Sequence, residues 1–359
     1  MASEPCQPPY SLTPAMFRMV EEIGEALGRL RAKNGPVEPH LRRGNRIRTI
    51  QASCAIEGNT LSVEQVTALL AGKRVLGTPR EIQEVRNAFA AYERMAEWSP
   101  HSRADLLTAH GVLMAGLVDA PGRFRSGSVG IQRGEEIVHL APPASRVPAL
   151  VAELLAWLKA TPEHPLIASC VFHYEFEFIH PFQDGNGRMG RLWQTLILSR
   201  WNPLFATVPV ETLIGEHQAD YYAALNAGNK VAACTPFIEF MLAMIRDALR
   251  EIVTTEQVGE QQSEQVARLL AVMGKTPLSA REIMAKLELK HRPTFLYSYL
   301  QPALACGLIE MTRPDAPRAR NQKYRKTALG HLHHPNPLPA GEEGGGKQLT
   351  DKEGASHDE

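Results

Sequence analysis

The sequence predicts a mostly all-α fold, a bundle of helices carrying one β-hairpin, followed by a small module of three helices and a two-stranded wing. Three features carry that prediction. Apolar residues recur at three-and-four spacing from Leu12 to about Val258, as in amphipathic helices. Strand-like text in that span is confined to GRFRSGSVGIQRGEEIVHLAPP, where SVGIQ and EIVHL flank Arg133-Gly134-Glu135 as a hairpin turn. After the polar stretch VGEQQS at 258–263, read as a linker, three short helical patterns precede two strand-like segments.

The individual elements follow in order. Ser62 with Gln65, and Thr78 with Pro79 and Glu81, fit the box in which the third helical residue reaches back to the cap. A hairpin is unstable alone, so the one at Ser128 to Leu140 must lean on the helical body. In RVPALVAELLAWL, Val147, Leu150, Val151, Leu154, Leu155 and Leu158 make one stripe. In HPLIASCVFHYEFEFIHPF, Ile167, Cys170, Val171, Tyr174 and Phe178 make another, and Pro181 drives His180 out of the α region, ending that helix. SEQVARLLAVM, SAREIMAKL and PTFLYSYLQPALACG are the helices of the module, and LIEMT and QKYRKT, joined by RPDAPRARN, are its wing: the order of a winged helix-turn-helix. The Gly-, Pro- and charge-rich text after Gly330 reads as disordered. The expected organisation is an N-terminal helical region at 1–100, a central domain at 101–257, the winged module at 258–330 and a tail at 331–359.

Composition narrows the class. The 359 residues hold 39 basic and 39 acidic side chains, so no global field draws the chain to nucleic acid or membrane. Cys6, Cys54, Cys170, Cys234 and Cys306 are odd in number, scattered and without a C-x-x-C pair, which suits a reducing compartment and no metal cage. With no basic-then-apolar leader and no run of about eighteen apolar residues, a soluble cytoplasmic protein is expected.

The chemistry concentrates in HPFQDGNGRMGR, His180 to Arg191. Taken singly, a histidine at a helix end is a cap, a G-N-G stretch is a turn, and two arginines three apart are a solvated face. Together they form a set. The apolar-periodic run RMGRLWQTLILSRW starts at the G-N-G turn, placing that turn at a helix N-terminus, where free N–H groups and the dipole favour an anion. Arg188 and Arg191, read on the first turn of that helix, oppose the dipole, an arrangement that makes sense if a polyanion is bound. Asp184 is placed to hold a divalent cation against the same phosphates. His180, freed from the helix by Pro181, is placed to take a proton from an attacking hydroxyl. Phe182 and Met189 read as apolar pegs for the loop.

The segment resembles the Fic (Fic/DOC) family signature H-P-F-x-[D/E]-G-N-G-R-x-x-R at every specified position. A chance match in one chain is on the order of one in 10⁷. The resemblance implies a helical fold with a β-hairpin flap, and transfer of AMP from ATP to a Ser, Thr or Tyr hydroxyl of a protein with release of pyrophosphate. It implies His180 as general base, Asp184 as the Mg2+ ligand, Gly185, Asn186 and Gly187 as the phosphate nest, and Arg188 and Arg191 as clamps. The hairpin matches the flap, which aligns an extended target segment by strand addition. The likeness runs over roughly Arg48 to Arg250.

Upstream, Ser53-Cys54-Ala55-Ile56-Glu57-Gly58 resembles the pattern [S/T]-x-x-x-E-[G/N] of family members that carry an inhibitory helix. The plain alternative is a helix C-terminus capped by Gly58. Under the resemblance, Glu57 pairs with Arg191 and withholds it from the γ-phosphate. Equally open are removal of AMP by water with help from Glu57, transfer of another nucleotide, self-modification, and homodimerisation. A reading of a different class makes the chain a winged-helix DNA-binding regulator with a nucleotide-sensing Fic domain, because Arg313, Arg318, Arg320, Lys323, Arg325 and Lys326 cluster around the wing. His331, His333 and His334 receive no role.

Overall fold

Several helix starts in this chain are set by side-chain caps. In the computed structural model, which describes residues 8–32, 39–133, 136–274, 276–317 and 319–327, both expected capping boxes form. Ser62 caps α3 (Val63–Leu70) and Thr78 caps α4 (Pro79–Arg94), each with the third residue reaching back. They follow α1 (Pro14–Ala32) and α2 (Pro39–Ala55) and precede α5 (Arg103–Leu113).

The hairpin is β1 (Gly130–Arg133) paired antiparallel with β2 (Glu136–Leu140), with a register shift between Ile131 and Gln132. Gly134 and Glu135 of the expected turn lie outside the described residues. After it come α6 (Val147–Ala160), α7 (Pro165–Ile179), α8 (Asn186–Trp201), α9 (Val210–Glu216), α10 (Gln218–Val231) and α11 (Thr235–Val272).

The single stripe expected on α7 is too narrow. Phe172, Phe176 and Ile179 are buried alongside Ile167, Cys170, Val171 and Tyr174, whereas Phe178, assigned to the stripe, is 38% exposed. The reason is position: α7 packs between α6 and α8, so most of its circumference faces protein. The stretch at 258–263, read as a linker, is helical and part of α11, just past the division between the two units at Thr255 and Glu256; Gly259 is its one poor helix former and costs only about 1 kcal/mol there.

The chain divides into two units, Met1–Thr255 and Glu256–Glu359. The first is organised around an apolar core running from Met16 to Val253, with Phe182 and Met189 fully buried in it. The second has its own core, including Leu269, Leu270, Ile283, Phe295 and Leu300.

In that second unit a short strand absent from the sequence reading, β3 (Leu278–Ser279), precedes α12 (Ala280–Lys286). The third helical pattern resolves into α13 (Arg292–Thr294), a π-helical stretch Phe295–Leu300 and α14 (Gln301–Ala305). The Gln301 N–H reaches back five residues to the Leu296 carbonyl, just ahead of Pro302, which has no N–H to continue the ladder. The two strand-like segments form β4 (Ile309–Met311) and β5 (Lys323–Lys326), and the sheet order is β3-β5-β4. Arg325 pairs with Glu310 at 2.5 Å, so this strand pair is less basic than its letters. Arg318 and the tail from 328 onward, with His331, His333 and His334, lie outside the described residues, as does Cys6.

Candidate active site

His180 is the residue the fold works hardest to hold. It caps α7 in the left-handed region, φ 50° and ψ 61°, a conformation that costs a non-glycine residue about 1–2 kcal/mol. Arg125, buried in the first unit, holds it there. Its guanidinium donates to the carbonyls of His180 at 2.7 Å, Ile179 at 3.3 Å, Gly127 at 2.9 Å and Pro142 at 2.5 Å, and its backbone N–H donates to the Pro181 carbonyl at 3.0 Å. Gly127 and Pro142 lie on either side of the β1–β2 hairpin, so one side chain ties the root of the flap to the histidine. The sequence reading missed Arg125; an arginine before a hairpin carries no periodic or spacing signal.

The loop after His180 closes on itself. The Asn186 side chain accepts from the Phe182 N–H and donates to the Phe182 carbonyl, both at 2.9 Å. Asn186 therefore shapes the nest with its side chain and can offer phosphate only its backbone. Gly185 precedes α8 at φ 84°, and a Cβ there would sit 2.6 Å from the Met114 sulfur. The Met189 N–H bonds to the Gly185 carbonyl, so the amides of Asn186, Gly187 and Arg188 are those that an α-helix leaves without intrahelical partners at its start.

Asp184 is 39% exposed at the mouth of this turn. One carboxylate oxygen accepts from the Gly185 N–H at 2.6 Å and lies 3.5 Å from Arg188, while the other meets Arg80 at 3.0 Å. His110 fixes its backbone: Nδ1 accepts from the Gly122 N–H at 2.8 Å, so Nε2 carries the proton and donates to the Asp184 carbonyl at 3.1 Å. Burial lowers the His110 pKa to about 4, which keeps this donor neutral, and its ring stacks on Phe182 at 3.7 Å.

Both motif arginines are buried and both are engaged. Arg191, the sixth residue of α8, lies on its second turn rather than its first; it donates to Ser53 Oγ at 3.3 Å, the Ser53 carbonyl at 2.9 Å and Glu57 Oε1 at 2.8 Å. Burial opposes its charge, but Glu57 more than compensates and its pKa is raised. Arg188 lies 3.3 Å from Glu84, whose other oxygen accepts from the Asn59 side chain at 2.9 Å. One short stretch, Glu57-Gly58-Asn59, thus holds Arg191 directly and Arg188 through Glu84. Among the described residues, Nη1 of Arg191 and Nε of Arg188 are buried without hydrogen-bond partners, donors that an anion could satisfy. A Cβ on Gly187 would collide with the Glu57 carboxylate, so glycine there leaves room for that side chain.

Among the described residues no group of three or more His, Cys, Asp or Glu side chains comes together. A cation at Asp184 would therefore draw its remaining ligands from phosphate and water, a set that suits magnesium. The exposed carboxylate beside a phosphate-binding turn fits that role.

With this geometry in hand, the likeness to known proteins is specific. A crystal structure of a Fic family protein from Desulfovibrio desulfuricans G20 shares 59% identity, covering 90% of this chain and 99% of that one, with a TM-score of 0.69. The chain belongs to the Fic family. The Fic/DOC family pattern matches residues 100–198, and that of the Fic-like C-terminal domain (filamentation induced by cAMP protein) matches 264–327. Fic-1 of C. elegans shares the fold at 24% identity, TM-score 0.57, covering 68% of this chain and 73% of that one. In sequence, the protein adenylyltransferases fic-1 of Caenorhabditis briggsae and Caenorhabditis elegans are each 32% identical over 200 residues, 52% of this chain. The chain spans 37% of the length of those relatives. Among the described residues no helix is long and apolar enough to cross a membrane.

Proposed function

We propose that this Fic protein is a self-inhibited protein adenylyltransferase that moves AMP from Mg-ATP to a protein hydroxyl and releases pyrophosphate. The observation that carries the reading is the juxtaposition of His180, held in a strained conformation, with the N-terminus of α8 and its two buried arginines. The names of the adenylyltransferase relatives support it. In this reading the target hydroxyl attacks the α-phosphorus as His180 takes its proton, a P–O bond forms, and the bond to the β-phosphate oxygen breaks. The α8 amides and Arg188 bear the charge that develops on the phosphate oxygens. Magnesium, held by Asp184, supplies charge neutralisation on the leaving pyrophosphate when bound.

Inhibition follows from the 2.8 Å contact between Arg191 and Glu57, since it occupies Nη2, sets the Glu57 charge against the γ-phosphate and leaves only Nη1 to meet it. Breaking it is the test. With magnesium, α-labelled ATP and a lysate, Glu57→Gly should label protein about 10- to 100-fold faster than wild type. Adding His180→Ala should cut that label by about 10²-fold or more. Equal labelling by wild type and Glu57→Gly removes the switch, and undiminished labelling by the double variant removes His180 as base.

A further inference from the structure

One buried carboxyl near the site has no part in the mechanism above. Glu177 lies on α7 one turn before His180, with Oε2 4.0 Å from His180 Nδ1 and Oε1 4.0 Å from His173 Nε2. It lies across α8 at Gly190, where a Cβ would come within 3.0 Å of Oε1 and 2.7 Å of the His173 ring. Glycine at that position, unspecified by the motif, is thus what lets Glu177 and His173 lie against α8. Among the described residues Oε1 is buried with no hydrogen-bond partner, an expensive state that needs a reason.

The charged and titratable groups facing Glu177 are few. On its own helix are His173 and His180, on α8 Arg191, beyond α2 Glu57, and on α10 Tyr221 and Tyr222. His173 is committed elsewhere: its ring meets Gln194 Oε1 at 2.6 Å and Tyr221 at 3.1 Å, and burial lowers its pKa to about 3, so it stays neutral. Glu177 thus feels the charges of the Glu57–Arg191 pair and lies 4.0 Å from the histidine read as the base.

We propose that Glu177 is a positioning residue for His180 whose carboxyl is governed by Glu57, so that the inhibitory glutamate acts on the base as well as on the phosphate clamp. The proposal rests on the reading of His180 as the base. With Glu57 in place, burial and then the Glu57 charge raise the Glu177 pKa to about 8, and a neutral carboxyl gives the imidazole little support. Displacing Glu57 removes one of the two effects that disfavour the carboxylate. Burial remains, so Glu177 ionises at lower pH than before, and the ionised carboxylate, 4.0 Å from Nδ1, draws the Nδ1–H of His180 toward itself and leaves the far nitrogen for the target hydroxyl, the division of labour found in His–carboxylate pairs.

The test uses the full chain, histidine-labelled for NMR, without nucleotide, as wild type, Glu57→Gly, Glu177→Gln and Glu57→Gly/Glu177→Gln, with His180→Ala to assign the resonance. The His180 ring should hold its proton to higher pH in Glu57→Gly than in wild type, and Glu177→Gln should erase that difference. In the transfer assay, Glu177→Gln in the Glu57→Gly background should lower kcat about tenfold near neutral pH with an unchanged KM for ATP, and Glu177→Asp should restore part of it. The comparison of wild type with Glu57→Gly leaves Glu177 untouched, so misfolding of the glutamine variant cannot decide the outcome. An identical His180 titration in wild type and Glu57→Gly, or one indifferent to Glu177→Gln, overturns the proposal. If the titration shifts as expected but no variant transfers AMP, the coupling stands and the adenylyltransferase reading falls.

Discussion

The ends of α2 and α7 each lead into a residue in the left-handed region, Gly58 at φ 91° and His180 at φ 50°. At the first, the chain closes as an ordinary helix terminus: Gly58 N–H bonds to the Ala55 carbonyl at 2.9 Å and Asn59 N–H to the Cys54 carbonyl at 3.2 Å, with glycine free to adopt the turn. At the second, a side chain with a Cβ occupies the same region and must be held by Arg125 from one side and the Asn186-closed loop from the other. The contrast shows what each end is for. Gly58 delivers Glu57 to Arg191 at little conformational cost, which suits the proposed switch. His180 is over-determined, as the proposed base would need to be.

Breaking the clasp should have the largest effect on stability. Arg125→Ala leaves four carbonyls without their donor, and a loss of about 3 kcal/mol or more is expected in urea unfolding, with transfer abolished; Arg125→Lys cannot span the same fork and should rescue little.

Next comes pH. With folded-state pKa values raised by burial to about 8 for Glu177 and about 7 for Glu175, the folded chain binds more protons than the unfolded one between roughly pH 4.5 and 8. Their contribution is therefore fully present below the unfolded carboxylate range and lost as pH rises through 7 and 8. Thermal melts of Glu177→Gln should fall off less from pH 6 to 8.5 than those of wild type.

Gly58→Ala forces a Cβ into the left-handed turn and should cost about 1–2 kcal/mol in the same unfolding assay. By loosening the end of α2 it should also raise basal labelling. The smallest effect sharpens the contrast most: His180→Gly relieves the left-handed strain and should stabilise the fold by about 0.5–1 kcal/mol while eliminating transfer. A histidine position that loses stability on that change would not be a strained one.

Some of this was readable from the letters alone. Caps at Ser62 and Thr78, the helix stop before Pro181, the start of α8 at the G-N-G turn and the burial of Phe182 and Met189 are all local or periodic properties, and those survive translation into three dimensions. The reading failed where the partner is distant. Nothing in the spacing of α7 says that α6 and α8 enclose it, and β3, two residues long, is too short to leave a pattern. Asn186 belongs to the motif, yet only the closed loop shows its side chain bonding Phe182 rather than facing a ligand.

What the sequence determined by itself is the chemistry available: an imidazole, a carboxylate, a glycine-rich helix start, two arginines and a glutamate that could oppose one of them. What the tertiary structure decided is which of these groups meet. Arg191 and Glu57 are 134 positions apart, Arg188 and Glu84 are 104, and Arg125 and His180 are 55. Contacts across such separations are fixed by how helices pack their apolar faces, and that packing leaves no spacing in the chain from which to read them.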